Sequence, residues 1–289
     1  MHAVLARVQA TAGIDVSDAH LIKFTNNAVF ALPAAGVVAR IAASTTMADR
    51  VDKVIQVARW LEDGGVPAVR LLGGDQPLIV DDLKVTLWHE VPSTDHQLTG
   101  ADLGAILQQW HALAPPETGF PSWNPVGEIR SRLDEPDGVD LRDLAYMRAE
   151  CDRLEDAVAT LTYELPPGPI HGDAFMGNLI AGVGGPAICD FDSSCDGPRE
   201  WDLVPVAVGK LRFDYPGDDH GALTGGYGFD VLAWPGFPTL RRLRELKLVT
   251  SLVPVLASRP VLQPEWRRRL ETYRSEDESA RWSTYTRAP

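Results

Sequence analysis

The chain carries HGDAFMGN at residues 171–178 and DFD at residues 190–192, and these two stretches decide its interpretation. Between them lie two short apolar segments separated by the glycine-rich turn GVGG at residues 182–185. Apolar segments of this length around a glycine turn predict a β-hairpin. Because a hairpin reverses the chain, we expect it to return Asp190 to the neighbourhood of Asn178.

The side chains in these stretches have the chemistry that a phosphoryl-transfer site requires. A transferring γ-phosphoryl group collects negative charge that metal ions and fixed donors must neutralise, and magnesium prefers oxygen ligands. Protein kinases place a proton-accepting aspartate five positions before a metal-binding asparagine, and a metal-binding aspartate follows later. Asp173, Asn178 and Asp190 keep that order. Three motif residues in the expected order favour this interpretation over a chance set of turn and capping residues.

Together with GPREWD at residues 197–202, this motif resembles the aminoglycoside phosphotransferase family, which is related to choline and homoserine kinases. The resemblance implies an α+β, two-lobed protein-kinase-like fold. We expect a small N-terminal nucleotide-binding lobe, with an antiparallel sheet and a helix, over residues 1–91. A larger, mostly helical catalytic and substrate-binding lobe is expected over residues 92–289. The resemblance also implies phosphoryl transfer from ATP or GTP, with Mg²⁺, to a hydroxyl group of a small molecule.

The resemblance also assigns roles to single residues. It implies that Asp173 is the catalytic base and that Asn178 and Asp190 are the magnesium ligands. His171 is expected to hydrogen-bond the loop backbone in preference to acting as a catalytic partner. Asp202 is expected to cap the helix that follows it and to brace the catalytic loop.

Composition agrees with a soluble enzyme, since 289 residues with 45% hydrophobic side chains exceed the usual size of one domain. No apolar run approaches the roughly 20 residues that span a bilayer, and the N-terminus lacks the pattern of a signal peptide. We therefore expect a cytoplasmic protein with no membrane partner. The three cysteines are too few and too irregularly spaced for a disulfide framework or a zinc cage.

The net charge of −13 is unevenly distributed, since residues 1–91 hold 8 basic and 10 acidic side chains while residues 92–289 hold 19 and 30. An acidic surface repels nucleic acid, so we expect no nucleic-acid partner. It also attracts cations, so a cationic acceptor would be steered toward it, although acidity that serves solubility explains the charge equally well. The expected acceptors are aminoglycoside-like antibiotics, which would imply antibiotic resistance, amino sugars or related metabolites. Acceptor identity, ATP against GTP, and monomer against homodimer stay open.

The N-terminal residues contain the elements of a nucleotide-binding lobe. Apolar segments at residues 21–24 and 28–32 flank the turn Thr25-Asn26-Asn27, and we expect the turn, with Asn27, to bind phosphates. The next strand, at residues 36–41, carries Arg40. By the resemblance Arg40 contacts the nucleotide phosphates, and an exposed strand arginine is the alternative.

A helix over residues 47–62 is predicted from its apolar spacing. In the resembled family a glutamate of this helix pairs with the strand cation, but Val54 occupies its place here. Asp49 and Asp52 are the candidate substitutes for the missing carboxylate.

Three β-rich runs, at residues 68–72, 78–80 and 85–88, are expected to complete the sheet. The hinge between the lobes is predicted directly after them. We expect the main chain of Glu90 and of Val91 to contact the adenine edge there.

Beyond the motif, aromatic and acidic residues suggest an acceptor pocket, because sugars stack on aromatic rings and amines bind carboxylates. The substrate candidates are Asp192, Tyr227, Asp230, Trp234 and Glu245. The alternative, that the aromatic residues bury the last helices, is the stronger one. Other helices are predicted over residues 99–113, 141–161 and 239–253.

Two other functions stay open at this stage. A nucleotide-binding regulatory pseudokinase with little or no transfer activity is conceivable because of the valine at position 54. A metal-dependent hydrolase built on His171, Asp173 and Asp190 is the second alternative, although no further histidine stands at the interval that the usual metal cages require.

Overall fold

The computed structural model describes residues 2–24 and 27–285 of the chain. The chain forms two compact units, each built from separate segments. The first unit comprises Met1–Leu98, Ala112–Phe120 and Met176–Ser194; the second comprises Thr99–His111, Pro121–Phe175 and Cys195–Pro289. A single boundary after residue 91 was expected, whereas the first unit also takes in the predicted hairpin and its flanking residues.

The first unit contains an antiparallel sheet. Helix α1 (His2–Ala12) precedes it, and helix α2 (Thr45–Asp63) lies between its third and fourth strands in the chain. Within the described residues the strands are β1 (His20–Phe24), β2 (Asn27–Leu32), β3 (Val37–Ala42), β4 (Leu78–Val80) and β5 (Leu83–His89). They are arranged in the order β1-β2-β3-β5-β4, and every neighbouring pair is antiparallel. The predicted N-terminal sheet is therefore confirmed. The predicted tip residues Thr25 and Asn26 lie outside the described residues.

Residues 68–72, predicted as a strand, do not form one. Ala68 makes an isolated bridge with Ile188, and Leu71 makes another with Trp88 of β5. The segment thus divides its backbone hydrogen bonds between two different neighbours, so no continuous ladder forms along it.

Helix α2 begins where Ser44 accepts a hydrogen bond from the backbone N–H of Met47 at 3.2 Å, which is an N-cap. Its apolar side chains Val51, Val54 and Leu61 recur at helical spacing and are buried. The helix prediction is therefore confirmed, and the helix is only slightly longer than expected.

The remaining elements are, in chain order, α3 (Gly100–Ala112), α4 (Pro125–Asp134), α5 (Leu141–Ala159), β6 (Gly168–Ile170), β7 (Leu179–Gly182), β8 (Gly185–Ile188), β9 (Cys195–Gly197), α6 (Glu200–Arg212), α7 (Asp219–Tyr227), α8 (Phe237–Thr250) and α9 (Gln263–Arg274). Strands β7 and β8 form the predicted hairpin, with Leu179 opposite Ile188 and Gly182 opposite Gly185. The hairpin belongs to the first unit, while β6 pairs with β9 in the second.

The second unit is mainly helical, as expected. Trp110, Trp201 and Trp266 are fully buried in it. Helices α3, α5 and α8 agree with the predicted ones, and α8 begins two residues earlier than expected. None of the helices in the described part of the chain is long and apolar enough to cross a membrane.

Candidate active site

A cavity of about 310 Å³ lies within the first unit. Its apolar walls are formed by Val29, Val38, Val54, Val69, Trp88, Val91, Ile180 and Phe191. Its polar lining includes Lys23, Asn27, Arg40, Asn178 and Asp190. The volume is at the lower end of the roughly 300–1,000 Å³ typical of small-molecule pockets. The cavity thus combines an apolar wall with cationic and oxygen-bearing side chains. This is the chemistry that a planar base joined to phosphates requires.

The predicted magnesium ligands Asn178 and Asp190 line this same cavity. The hairpin joins them as expected, because the residue after its second strand, Cys189, donates its backbone N–H to the carbonyl of Asn178 at 2.9 Å. Asp190 has the left-handed backbone angles φ 70° and ψ 66°. Residues other than glycine rarely adopt that conformation, and it recurs at functional sites.

These two side chains fit a Mg²⁺ ion. A carboxylate and a carboxamide are hard oxygen donors, and magnesium in phosphoryl-transfer sites takes one or two such ligands together with phosphate oxygens and water. Groups of three or more His, Cys, Asp or Glu side chains placed to hold a metal are absent from the residues that the structure describes.

Arg40 is held inside the cavity by two neighbours. Its Nη2 forms an ion pair with Oδ2 of Asp192, and both side chains are only 15% exposed. The amide of Asn27, with its oxygen turned toward Arg40, accepts from Nη2 at 2.6 Å and from Nε at 3.3 Å. Arg40 is therefore not the exposed strand arginine of the alternative prediction. Asp192, predicted to contact the substrate, uses its carboxylate on Arg40.

The charge on Asp192 follows from this pair. Burial alone would raise the pKa of its carboxyl group, but the hydrogen bond and positive charge of Arg40 outweigh burial and lower that pKa. The carboxylate is therefore ionised at neutral pH.

Helix α2 provides no carboxylate for Arg40. Val54 is 1% exposed and lines the cavity wall. Of the two predicted substitutes, Asp52 pairs with Lys84 at 2.8 Å and Asp49 is exposed. The helix instead contributes Lys53, whose Nζ donates to the backbone carbonyl of Asp192 at 2.6 Å.

The predicted hinge residues differ in what they offer. The backbone N–H of Glu90 donates to the carbonyl of Gly36 at 2.8 Å, so this donor is committed to the unit itself. Val91 lines the cavity beside His89 and Trp88. The expected adenine contact therefore stays a prediction for the main chain of Val91 and for the carbonyl of Glu90.

Asp173 lies in the second unit, in a loop that Asp202 holds. The carboxylate of Asp202 is fully buried and accepts the backbone N–H groups of His171 and Gly172, each at 2.7 Å. Gly172 has φ 80°, which a side chain would make costly. The predicted brace is thus observed. Asp202 is not the helix cap, however, because α6 begins at Glu200 and Asp202 lies in its first turn.

His171 does what was expected of it. It is fully buried, its Nδ1 accepts the backbone N–H of Asp173 at 3.3 Å, and its ring lies 5.5 Å from that of Trp110. A second histidine, His111, contacts the Asp202 carboxylate through Nε2 at 3.1 Å. Together these contacts fix the loop that carries Asp173.

The carboxylate of Asp173 is 33% exposed and pairs with Arg244 of α8, whose Nη1 lies 2.5 Å from Oδ1. Burial raises the pKa of Asp173, but the positive charges of Arg244 and Lys247 outweigh it, and the pKa is about 2. Arg244 was not predicted. Its only signal in the sequence is the spacing of Arg241, Arg244 and Lys247, three cations three positions apart on a helix with leucines between them.

The other substrate candidates lie in the second unit, and most have partners within it. Glu245 is 1% exposed and its two oxygens bind Arg212 at 2.7 and 2.9 Å. The buried ring of Trp234 stacks on that of Tyr163 at 5.6 Å.

Tyr227 and Asp230 are the two remaining candidates. The hydroxyl of Tyr227 lies 2.8 Å from Nδ1 of His111, and the tyrosine is partly exposed. Asp230 lies 3.4 Å from His220 and keeps a half-exposed carboxylate. Glu245 and Trp234 thus have structural positions, and Asp230 offers an accessible carboxylate.

Comparisons with known proteins identify the family. Residues 1–246 match the model of the phosphotransferase enzyme family, APH. No curated protein matches the chain.

Solved structures are similar at low sequence identity. An amicoumacin kinase, solved with AMP-PNP, Ca²⁺ and Ami, is 14% identical with a TM-score of 0.72 over 98% of this chain and 95% of that one. A microcompartment-associated aminopropanol kinase is 18% identical with a TM-score of 0.71, over 97% and 100%. The choline kinase LicA from Streptococcus pneumoniae is 13% identical with a TM-score of 0.67, over 95% and 99%. These similarities show that the chain has the fold of these kinases.

Proposed function

The chain belongs to the phosphotransferase enzyme family, and from this membership we propose that it is a kinase of small molecules that transfers the γ-phosphoryl group of ATP or GTP to a hydroxyl group. One observation carries the proposal: Asn178, Asp190 and Arg40 line a single cavity. Two oxygen donors and a guanidinium in the lining of a largely apolar cavity are the groups that a nucleoside triphosphate with its metal requires.

The first unit supplies nucleotide binding in this proposal. Apolar side chains such as Val38 and Phe191 enclose the base, and Arg40 contacts phosphate oxygens. Asn178 and Asp190 would hold Mg²⁺, which would supply the positive charge that neutralises the phosphates. The backbone hydrogen bond from Cys189 to Asn178 holds the chain segments that carry the two ligands next to each other.

Asp173 is the proposed base, five residues before Asn178 in the chain. With a pKa of about 2 it is ionised at neutral pH and can accept a hydrogen bond from the acceptor hydroxyl. Such a weak base acts by orienting the hydroxyl and by taking its proton as the new bond to phosphorus forms. Catalysis then depends mainly on position and electrostatics.

For the acceptor we propose a hydroxylated amine, such as an aminoglycoside-like antibiotic, an amino sugar or a related metabolite. The acidity of residues 92–289 supports this class, as do the amicoumacin, aminopropanol and choline named for the similar structures. The surroundings of Asp173 do not carry net negative charge, because the positive charges of Arg244 and Lys247 offset the charge of its carboxylate. A carboxylate that binds the amine must therefore lie elsewhere, and half-exposed Asp230 is a candidate.

The alternative of a regulatory pseudokinase rested on Val54. The structure weakens that argument, since Arg40 has a carboxylate partner in Asp192. Transfer activity is accordingly the better-supported proposal.

A coupled assay of ADP or GDP release tests the function. It combines Mg²⁺ and either ATP or GTP with aminoglycosides, amino sugars, choline-like alcohols and other hydroxylated antibiotics. We expect release that depends on one acceptor class, with phosphate recovered in that product, and none from an Asp173→Asn variant. Nucleotide binding without turnover on any acceptor would favour the pseudokinase, and absence of nucleotide binding would overturn both.

A further inference from the structure

A strand cation can bind phosphates well only if its side chain is held in one orientation. An arginine loses side-chain rotamer freedom when it is fixed, and this loss opposes its ordering. Arg40 stands in the middle of β3, opposite Val29 of β2 and Thr86 of β5. Neither neighbour carries a charge, and Val54, the residue of α2 that lines the same cavity, carries none either. An orienting carboxylate must therefore come from elsewhere in the chain.

We propose that Asp192 is the positioning residue for Arg40 and replaces a carboxylate of α2 in this role. This inference rests on the proposed function, because it assumes that Arg40 serves a nucleotide. Asp192 is 152 positions from Arg40 in the chain, yet its Oδ2 pairs with Nη2 of the guanidinium inside the cavity wall. With its amide oxygen turned toward Arg40, Asn27 accepts from the same guanidinium at 2.6 Å, so that the side chain has two acceptors.

The segment that carries Asp192 is itself fixed. Phe191 is 1% exposed, and its ring centroid lies 6.1 Å from that of Trp88. Lys53 of α2 donates to the backbone carbonyl of Asp192 at 2.6 Å. The helix is therefore still connected to the strand cation, but through Lys53 and Asp192 in place of a carboxylate of its own.

This arrangement joins two functions in a three-residue segment. Asp190 faces the cavity as a proposed metal ligand, and Asp192, two positions later, orients the phosphate-binding cation. A single turn of 3₁₀ helix at Phe191–Ser193 sets the direction of the second carboxylate relative to the first. The proposed metal ligand and the residue that orients the phosphate-binding cation thus belong to the same short segment, residues 190–192.

The test measures nucleotide affinity by calorimetry and needs no acceptor. We expect Asp192→Asn to weaken ADP binding about tenfold, which is about 1.4 kcal/mol. An Arg40→Met variant should also bind weakly, and adding Asp192→Asn to it should change the affinity less than about twofold, because Asp192 acts only through Arg40.

The loss of ADP affinity in Asp192→Asn should be the same with Mg²⁺ and with EDTA, since the ion pair needs no metal. Asp192→Glu, which keeps the charge, should bind more tightly than Asp192→Asn.

The matched control is Asp52→Asn, because Asp52 is a 69%-exposed carboxylate of α2 that pairs with Lys84. It should bind ADP as the unaltered protein does. Equal affinity of Asp192→Asn and the unaltered protein would overturn the inference, as would additive losses in the double variant. A loss seen only with Mg²⁺ would also overturn it and make Asp192 a metal ligand. If the unaltered protein binds no nucleotide, the proposed function itself fails.

Discussion

Arg244 of α8 holds the carboxylate of Asp173, with Nη1 at 2.5 Å from Oδ1. The guanidinium is nine-tenths buried, so its attraction is poorly screened by water. The pair fixes the direction of the proposed base and makes it a weak one at the same time. Such a base contributes by holding the acceptor hydroxyl in place, and its own proton affinity contributes little.

Loss of the Asp173 carboxylate should abolish most of the catalysis. In Asp173→Asn the amide keeps the shape but cannot accept the proton, and we expect kcat to fall by roughly 10²–10⁴-fold. Nucleotide affinity should stay within about twofold, because the cavity lies in the first unit. Steady-state rates on an acceptor found by the release assay, with calorimetry for ADP, measure both. Rates equal to those of the unaltered protein would contradict the assignment.

Removing Arg244 should shift the acid limb of the activity profile. The pKa of Asp173 is about 2 against an ordinary 3.8, and in Arg244→Met burial would raise it without the main opposing charge. A depressed pKa keeps the carboxylate ionised down to low pH, so the variant should lose activity at a higher pH than the unaltered protein. Comparing kcat between about pH 4 and pH 8 shows this shift. An unmoved acid limb would mean that Arg244 does not tune Asp173.

Substitution of Asp190 should uncouple nucleotide binding from magnesium. Asparagine also tolerates left-handed backbone, so Asp190→Asn should fold normally while losing the anionic ligand. We expect added Mg²⁺ to increase the ADP affinity of the unaltered protein and to leave that of the variant unchanged within about twofold. Titrations with Mg²⁺ and with EDTA provide the internal control. A full magnesium effect in Asp190→Asn would rule out this ligand.

Glu245 should prove structural. It pairs with Arg212 at 2.7 Å and with Arg241 at 2.8 Å in the interior of the second unit. Glu245→Gln would leave buried cations without a counter-charge, and we expect about 3–5 kcal/mol less stability toward urea. The matched control Glu155→Gln removes a 54%-exposed partner of Arg130 and should leave stability nearly unchanged, because exposed ion pairs contribute little.

Glu245 was also a substrate candidate, and the same variant separates the two roles. A structural Glu245 lowers the midpoint of unfolding and leaves the acceptor KM of the folded enzyme unchanged. A higher acceptor KM with unchanged stability would show that Glu245 contacts the substrate.

Much of the fold followed from local patterns. The helical spacing of buried valines predicted α2, and apolar arms around a glycine turn predicted the β7–β8 hairpin. The run at residues 68–72 has the same apolar character and yet is no strand, because its bonding partners change along its length. Strand formation depends on a neighbour that the segment itself does not contain.

Local spacing was also sufficient to suggest the motif chemistry, since the order and intervals of Asp173, Asn178 and Asp190 along the chain predict phosphoryl transfer. The partners of these groups could not be predicted in that way. Arg244 stands 71 positions after Asp173, and Asp192 stands 152 positions after Arg40. An ion pair between such residues exists only when distant elements pack side by side, so the charge environment of the proposed base and the orientation of Arg40 were decided by tertiary structure. The spacing of motif residues and the local turns depend on a few neighbouring residues of the chain. Which residues form ion pairs depends on how the whole unit folds.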